Sequence, residues 1–342
     1  MDRLRPDEAL LTATRAPLPR ASPLHRYVFR AMASTHELLL AEASAARAKR
    51  AAAFAMAEVL RIERKYSRYR DDSVIAAINR AGGDDPVPID GETVSLLRYA
   101  DRCFVLSEGR FDITSGVLRR AWDFRAASPR VPRDDEIAAA CALVGWRRVQ
   151  WSAHDIRLPA SGMELDLGGI GKEYAADRAA TILRDNGIAH GLINLGGDVR
   201  AFGGRDANVP WRVGIRHPRA AMPLATVELF DGALATSGDY ERHFELDGVR
   251  YCHLLDARSG WPVAYWQSVS VVAPLTILAG SYATTAMLVG AEAETLLAGH
   301  GLCALLVAAD GSIRRCGRPG IFAETTPGMI DTSADHAGAN RA

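Results

Sequence analysis

The sequence predicts an α+β domain in which strands and helices share one core. Alternating apolar and polar residues at 27–30 and 36–40 predict a pair of neighbouring strands. The alanine-rich stretch at 41–68 predicts a long helix, because alanine has the highest helix propensity. From residue 146 onward, short apolar segments separated by glycines predict further strands, and strands with intervening helices favour mixed layers.

The other elements follow in chain order. Ser73 is a typical N-cap residue for a short helix over 72–79, which a glycine pair closes, and an amphipathic helix is predicted over 91–107. Strands are predicted at 149–151, 164–166, 191–198, 211–215 and 304–307, and helices at 172–186 and 279–298. We therefore expect a flexible segment at 1–24, one domain at 25–315 and a disordered tail at 316–342.

Composition excludes several classes of protein. Lys plus Arg and Asp plus Glu both number 41, so the formal charge is zero and no nucleic-acid partner is expected. The five cysteines are scattered without a CxxC pair, which indicates reduced thiols and disfavours a zinc ribbon or a disulfide framework. HExxH and clusters of Cys and His are also absent, although oxygen ligands for a hard cation remain possible.

No apolar run of 18 residues occurs, so no integral membrane segment is expected. Charges and prolines interrupt the N-terminal region where a signal peptide needs an apolar core. We therefore predict a cytoplasmic protein, while an exported form with a longer N-terminus stays open.

The most distinctive motif is Asp166-Leu-Gly-Gly-Ile-Gly-Lys172, which precedes a predicted helix. Glycines allow close backbone approach, a helix N-terminus attracts anions, and Lys172 adds charge, so a phosphate or pyrophosphate is the natural ligand. The motif is neither a Walker P-loop nor GxGxxG, because the spacing differs and Glu173 follows the lysine. A plain strand-to-helix turn remains an equal alternative.

Two further segments carry polar residues beside glycines. An apolar strand ends in Gly196-Gly197-Asp198, which can present N–H groups or a carboxylate to a ligand, although a simple turn is the more common explanation. Thr236-Ser237-Gly238 is interpreted as a turn and lacks the GxSxG pattern of hydrolases. His253 and Asp256 follow it, and a histidine can move a proton near neutral pH, although a structural role is equally common. Trp122, Tyr69 and Met32 are candidates for stacking on a flat ring, although each is equally compatible with a place in the core.

Together these segments resemble the FAD:protein FMN transferase (ApbE) family, whose motifs occur here in the same order. The matching segments are Met32-Ala-Ser-Thr35, Tyr66-Ser-Arg-Tyr69 with Asp72, Ser73 and Asn79, Gly109-Arg-Phe-Asp112-Ile-Thr114, the segment from Asp166 to Asp177, Asn194-Leu-Gly-Gly-Asp198, Thr236-Ser-Gly-Asp-Tyr240, and His253-Leu-Leu-Asp256 with Gly260. The resemblance implies a two-lobed, T-fold-like single domain. It also implies cleavage of FAD, attachment of FMN through a phosphoester bond to Ser or Thr of an acceptor protein, release of AMP, and assistance by Mg²⁺.

The resemblance also assigns residues. Lys172 and His253 are the implied catalytic residues, with Lys172 at the diphosphate and His253 activating the acceptor hydroxyl or orienting the phosphate. The implied FAD-binding residues are Met32, Tyr69, Asp112, Gly169, Gly171, Lys172, Gly197, Asp198, Thr236, Ser237, Gly238, His253 and Asp256. The carbonyl of Gly171 and the hydroxyl of Thr284 are the implied metal ligands.

Three places depart from the family pattern. Gly280 stands where the family has an Asp that binds the metal, and Met32-Ala-Ser-Thr35 stands where it has Met-Gly-Thr. Glu173 stands where the family has a glycine, which puts a negative charge near the expected phosphate or simply stabilises the helix start. Loss of a charged oxygen ligand is expected to weaken Mg²⁺ binding. An FAD-binding or storage protein, or an FAD pyrophosphatase without transferase activity, is therefore the alternative function.

Overall fold

A computed structural model describes residues 22–126 and 128–323. Its strands are β1 (Leu24–Ala31), β2 (Ser34–Ala41), β3 (Val87–Pro88), β4 (Gln150–Trp151), β5 (Asp155–Arg157), β6 (Gly191–Leu195), β7 (Asp198–Phe202), β8 (Trp211–Arg216), β9 (Pro223–Leu229), β10 (Gly232–Gly238), β11 (His243–Leu246), β12 (Val249–Cys252), β13 (Trp266–Ala273), β14 (Cys303–Ala308), β15 (Ile313–Cys316) and β16 (Phe322–Ala323). Its helices are α1 (Ala45–Tyr66), α2 (Val74–Arg80), α3 (Gly91–Leu106), α4 (Asp134–Cys141), α5 (Gly171–Asp185), α6 (Thr276–Val289) and α7 (Ala293–Gly299).

An eight-stranded antiparallel sheet forms the centre, in the order β1-β2-β6-β7-β10-β13-β14-β15. The first two strands form the predicted pair, and their two-residue turn places Met32 and Ala33 at φ 48° and 60°. Positive φ at both turn residues is the geometry of a type I′ hairpin, which matches the twist of the flanking strands. The predicted α+β class is confirmed.

Each face of this sheet is covered by a different layer. Helices α1 and α5 pack together on one face, where Leu38, Leu40 and Ile193 join the apolar side of α1. On the other face, a small sheet of order β16-β9-β8 packs its apolar residues against the large sheet, including Leu39, Leu192 and Val199. Alternate residues of β2 thus enter two cores, as the two-residue period of a strand dictates.

The structure corrects three predictions for elements. Residues 164–166 form no strand, because the side chain of Asn79 bonds both the N–H and the carbonyl of Leu165 that a neighbouring strand would use. The helix predicted at 279–298 is two helices, since α6 ends before Gly290, which has φ 63°. The tail predicted to begin at 316 includes β16, in which Phe322 is buried against β9.

The other terminal predictions lie mostly outside the described residues, which begin at 22 and end at 323. Within 22–24 of the predicted flexible segment, β1 already begins at Leu24. All five cysteines are unpaired thiols. Among the helices that the structure describes, none is long and apolar enough to cross a membrane.

Candidate functional site

A cavity of about 870 Å³ opens between the start of α5, the turn from β6 to β7, strand β10 and the segment after β12. This volume lies within the usual range for small-molecule sites. Nearly all the residues that the sequence predicted line it: Met32, Tyr69, Asp112, Gly169, Gly171, Lys172, Gly197, Asp198, Thr236, Ser237, Gly238, His253 and Thr284, together with Gly280. Segments far apart in the chain therefore meet at one place.

Lys172 and Asp198 form the charged centre of the cavity wall. Lys172 lies in the first turn of α5, and its Nζ is 2.6 Å from Oδ2 of Asp198, a buried carboxylate at the start of β7. Burial disfavours the ammonium, but Asp198 and Glu173 outweigh it and raise the pKa of Lys172 above its ordinary value. A permanently charged ammonium held at a helix N-terminus suits an anionic ligand.

The turn that carries Asp198 depends on its two glycines. Gly196 and Gly197 have φ 62° and 97°, a region that other residues rarely adopt, and the N–H of Gly197 donates to Oδ1 of Asn194 at 2.9 Å. A Cβ on Gly196 would lie 3.2 Å from Oγ of Ser34 in the turn-flanking strand β2. The positive φ of both residues thus explains the glycines without any reference to a ligand.

Asp166, the first residue of the glycine-rich motif, is an anchor for the loop. Its carboxylate accepts from Arg119, from Arg68 at 3.2 Å and from the N–H of Gly168 at 2.8 Å. Burial opposes the charge, yet Arg119 and Arg68 hold the pKa of Asp166 below its ordinary value. The loop that leads into α5 is therefore fixed by buried ion pairs.

Glu173 occupies the space beside Gly280. A Cβ built on Gly280 would lie 2.5 Å from Cγ and 2.9 Å from Oε1 of Glu173. The Glu173 side chain is buried, and its Oε2 has no hydrogen-bond partner among the described residues. Burial and the nearby Asp198 raise the pKa of Glu173. The carboxylate of Glu173 therefore lies in the space that a side chain at position 280 would enter.

Hydroxyl groups line the adjacent wall. Oγ of Ser237 is 2.7 Å from Oγ1 of Thr284, and Oγ1 of Thr236 is 2.8 Å from Oγ of Ser270. The segment 236–238 belongs to β10 and pairs with β13, so its interpretation as a turn is wrong. The Thr236–Ser270 pair joins β10 to β13 and the Ser237–Thr284 pair joins β10 to α6, and sequence alone reveals neither contact.

His253 lies just beyond β12, where its N–H donates to the carbonyl of Arg242 at 2.9 Å. Its Nδ1 is buried and has no partner among the described residues. Burial, followed by the charges of Arg242 and Arg119, lowers the pKa of His253 to about 4. The imidazole is therefore neutral at neutral pH and able to accept a proton.

The mouth of the cavity carries the aromatic and acidic residues predicted near a ring. Tyr69 is 67% exposed, and the guanidinium groups of Arg68 and Arg125 lie 5.6 and 6.0 Å from its ring centre. The carboxylate of Asp112 accepts from Thr114 and from the N–H of Trp146, so it also braces its own loop. The ring contacts predicted for these residues stay predictions.

Two candidates lie away from the cavity wall. Asp256 pairs with Arg110 at 3.8 Å and accepts from the N–H of Arg258, which organises its own turn. Trp122 is buried in an aromatic cluster and donates to the carbonyl of Gly260 at 2.8 Å. Trp122 thus lies in the core, the alternative that the sequence left open, and the ligand contact predicted for Asp256 stays a prediction.

Sequence reasoning missed several arginines of the cavity. Arg119, Arg216 and Arg242 line it, and among the described residues neither Arg216 nor Arg242 forms an ion pair with a carboxylate. Single arginines in an arginine-rich chain carry no motif, so no signal distinguished them. They add positive charge opposite the start of α5.

The comparisons with known proteins agree with this geometry. The sequence model of the ApbE family matches residues 32–307. A protein of Treponema pallidum named FAD:protein FMN transferase is 33% identical over 268 residues, covering 72% of this chain and 74% of that protein. A Vibrio cholerae protein of the same name is 33% identical over 233 residues, covering 66% of this chain and 69% of its own length.

Solved structures agree as well. The ApbE protein of Thermotoga maritima superposes with a TM-score of 0.80 at 31% identity, covering 86% of this chain and 97% of its own. The apo flavinyl transferase ApbE of Pseudomonas stutzeri gives 0.77 at 27% identity, covering 86% and 95%. With fold, motif order and site geometry in agreement, this chain belongs to the ApbE family.

Proposed function

We propose that this chain is an FAD:protein FMN transferase that moves FMN from FAD to a Ser or Thr hydroxyl of an acceptor protein. The chain is an enzyme, and FAD is its donor substrate. The acceptor oxygen forms a bond to the phosphorus of the FMN moiety, the bond from that phosphorus to the bridging oxygen breaks, and AMP leaves. The observation that carries the proposal is one cavity in which the Lys172–Asp198 pair, the glycine turns and neutral His253 face each other.

Residues at the start of α5 are suited to hold the diphosphate. A helix N-terminus and an ammonium together favour an anion, and a Cβ on Gly171 would meet no atom within 4 Å, so the space above it is open. Arg216 and Arg242 add charge from the facing wall. Fixed positive groups around a transferring phosphoryl group stabilise the charge that develops there.

His253 is suited to take the proton of the acceptor hydroxyl. Its imidazole is neutral, its Nδ1 has no partner among the described residues, and it lines the same cavity as Lys172. A base is useful only when it is unprotonated at the working pH. The charges of Arg242 and Arg119, which lower its pKa, lie where the phosphate is expected.

The donors present fit Mg²⁺. The region offers the buried, unpartnered Oε2 of Glu173 and the hydroxyl of Thr284, with the Gly171 backbone at the same wall. No group of three or more His, Cys, Asp or Glu side chains suited to a metal occurs in the described part of the chain. Mg²⁺ commonly takes one or two carboxylates together with substrate phosphates, and this sparse set is compatible with that pattern. When bound, the ion would neutralise charge on the leaving AMP.

One incubation distinguishes this function from the alternatives. Purified protein is mixed with FAD and Mg²⁺, with and without an acceptor protein, and AMP and protein-bound flavin are measured. Transfer predicts AMP and covalent flavin that both depend on the acceptor. AMP without an acceptor indicates a pyrophosphatase, and bound FAD without AMP indicates a storage protein; neither alternative is favoured by the names of the relatives.

Two sequence-based predictions are carried forward as proposals. A cytoplasmic location is testable by fractionation of cells that express the protein. The absence of a nucleic-acid partner predicts no change in the mobility of DNA or RNA in the presence of the protein.

A further inference from the structure

We propose that Glu173 supplies the carboxylate ligand of the divalent-cation site in this cavity, reaching from α5 into the space beside Gly280 of α6. The inference rests on the proposed use of Mg²⁺ and names the side chain that would hold it. A carboxylate is thus present at this place although residue 280 has no side chain.

The first support is steric. Helices α5 and α6 pack against each other, and a Cβ on Gly280 would approach Cγ, Oε1 and Cδ of Glu173 to 2.5, 2.9 and 3.1 Å. Contacts this short do not occur between real side chains, so a side chain at 280 and the observed Glu173 exclude one another. Glu173 can therefore take its observed position only because residue 280 is a glycine.

The second support is that one oxygen of the buried Glu173 carboxylate has no hydrogen-bond partner among the described residues. Glu173 is 6% exposed, and its Oε2 has no partner in the described structure. The nearest ammonium, Lys172, is engaged with Asp198 at 2.6 Å. Burial of a carboxylate is costly unless it is paired, protonated or bound to a cation.

The third support is the set of neighbouring oxygens. Thr284 is four residues beyond Gly280 on α6, so both lie on one helix face. Its hydroxyl is 2.7 Å from that of Ser237 on β10, and all three positions line the cavity with Glu173. Oxygen donors without nitrogen or sulfur select a hard cation.

The experiment measures binding of Mn²⁺ by electron paramagnetic resonance and of Mg²⁺ by calorimetry, on protein first stripped with EDTA and with FAD present or absent. Glu173→Gln keeps the shape and removes the charge. Glu173→Gly combined with Gly280→Asp moves the carboxylate from α5 to α6. Glu294→Gln, an exposed glutamate of α7 outside the cavity lining, is the matched control.

We expect Glu173→Gln to weaken binding of either ion by about tenfold or more, since even residues that only support metal ligands change affinity by that much. The exchange variant should bind within about threefold of wild type, because the count of charged ligands is restored. Without metal, Glu173→Gln should melt no lower than wild type, because it replaces a buried carboxyl group whose Oε2 has no hydrogen-bond partner among the described residues.

Binding by Glu173→Gln as tight as wild type overturns the proposal, and so does wild-type protein that binds neither ion with FAD present. Should Glu173→Gln not fold, Glu173→Gly alone decides: binding as tight as wild type overturns the proposal, and a loss of about tenfold or more that Gly280→Asp restores supports it. The proposed function can fail independently. If metal binding depends on Glu173 but no FMN is transferred, the function is wrong and Glu173 remains the metal ligand. If Glu173→Gln transfers FMN normally and binds metal as wild type does, the function stands and Glu173 is not the ligand.

Discussion

Glu92 and Glu173 both lie near the N-terminus of a helix, but their environments are opposite. Each lies in the first turn, of α3 and α5 respectively, where the helix dipole favours a carboxylate. Burial acts against the charge of Glu92, but bonds from Arg61 and Lys65 hold its pKa well below the ordinary value, whereas burial and Asp198 raise that of Glu173. The helix dipole is common to both residues, so their different hydrogen-bond and charge partners decide whether the pKa is lowered or raised.

The partners can be compared atom by atom. Oε1 of Glu92 accepts from Arg61 at 2.6 Å and from the hydroxyl of Tyr174 at 2.8 Å, and Oε2 accepts from Lys65 at 2.6 Å. Oε2 of Glu173, the residue next to Tyr174, accepts from no described residue. We call Arg61, Lys65, Asp90 and Glu92 the surface cluster, and Lys172, Glu173 and Asp198 the cavity cluster. The charged groups of the surface cluster are paired with one another, whereas the cavity cluster keeps one carboxylate oxygen, Oε2 of Glu173, that can still bind a ligand.

The largest expected effect concerns His253, which shares with Glu173 a buried polar atom without a partner. His253→Ala should lower the rate of FMN transfer by about 10²–10⁴-fold if the imidazole takes the acceptor proton. The rate of covalent flavin attachment at saturating FAD measures it. His154→Ala, at an exposed loop outside the cavity lining, is the control and should keep the wild-type rate. A wild-type rate in His253→Ala removes the residue from the mechanism.

The same residue predicts a pH profile. Because burial lowers its pKa to about 4, His253 stays neutral as the pH falls through 6.5 and becomes protonated only near 4. Transfer by wild type should therefore show no loss that is due to His253 between pH 8 and 5. A loss centred near 6.5 that disappears in His253→Ala would show that the imidazole is solvated in the working enzyme.

Lys172 gives the next effect, because it lines the cavity beside Asp198, whereas Lys65 lies outside the cavity lining and pairs with Asp90 and Glu92. Lys172→Met should lower kcat/KM for FAD by about 10²–10³-fold, the usual result of removing one preorganised donor at a developing charge. Lys65→Met, the matched change in the surface cluster, should alter stability and leave kcat/KM unchanged. An equal loss of kcat/KM in Lys172→Met and Lys65→Met would show that the cavity cluster has no special role in the reaction.

Much of this site was predictable from the sequence, and the limits have physical causes. Ser73 is the N-cap of α2 and the glycine-rich motif does precede α5, because capping and glycine turns are local chemistry. Asn79 shows the opposite case, since its side chain takes the backbone bonds of Leu165, 86 residues away, and so prevents the predicted strand. Contacts at that separation leave no local pattern.

The relation between Glu173 and Gly280 illustrates the same limit. Both departures from the family pattern were visible in the sequence, and the loss of a charged oxygen at Gly280 predicted weaker Mg²⁺ binding. Only the packing of α5 on α6 shows that the two positions share one space. The sequence therefore does not reveal that substitutions on two packed helices are related until the three-dimensional position of both helices is known.

Asp177 predicts a smaller effect, on stability. Its two oxygens accept from the N–H groups of Thr276 and Ile277 at 2.9 and 3.0 Å, so it caps α6 from α5. Asp177→Ala should lower the free energy of unfolding by about 1–2 kcal/mol, the usual cost of losing a helix cap. Urea denaturation measures it, with Asp185→Ala at the exposed end of α5 as control. No change in the midpoint would show that solvent satisfies the N–H groups.

The smallest effect concerns Glu92, and its pH dependence distinguishes the surface cluster from the cavity cluster. Glu92→Gln should cost about 1 kcal/mol of unfolding free energy at pH 7, because partly exposed ion pairs contribute little each. The pKa of Glu92 is depressed in the folded state, so its contribution is complete above the ordinary value of 4.5 and is lost as the pH falls below it. Urea midpoints of wild type and variant should therefore converge toward pH 2, and 1 M salt at pH 7 should bring them together as well. A difference that instead grows as the pH falls would mean that Glu92 is protonated in the folded protein, and its three donors would then no longer distinguish it from Glu173.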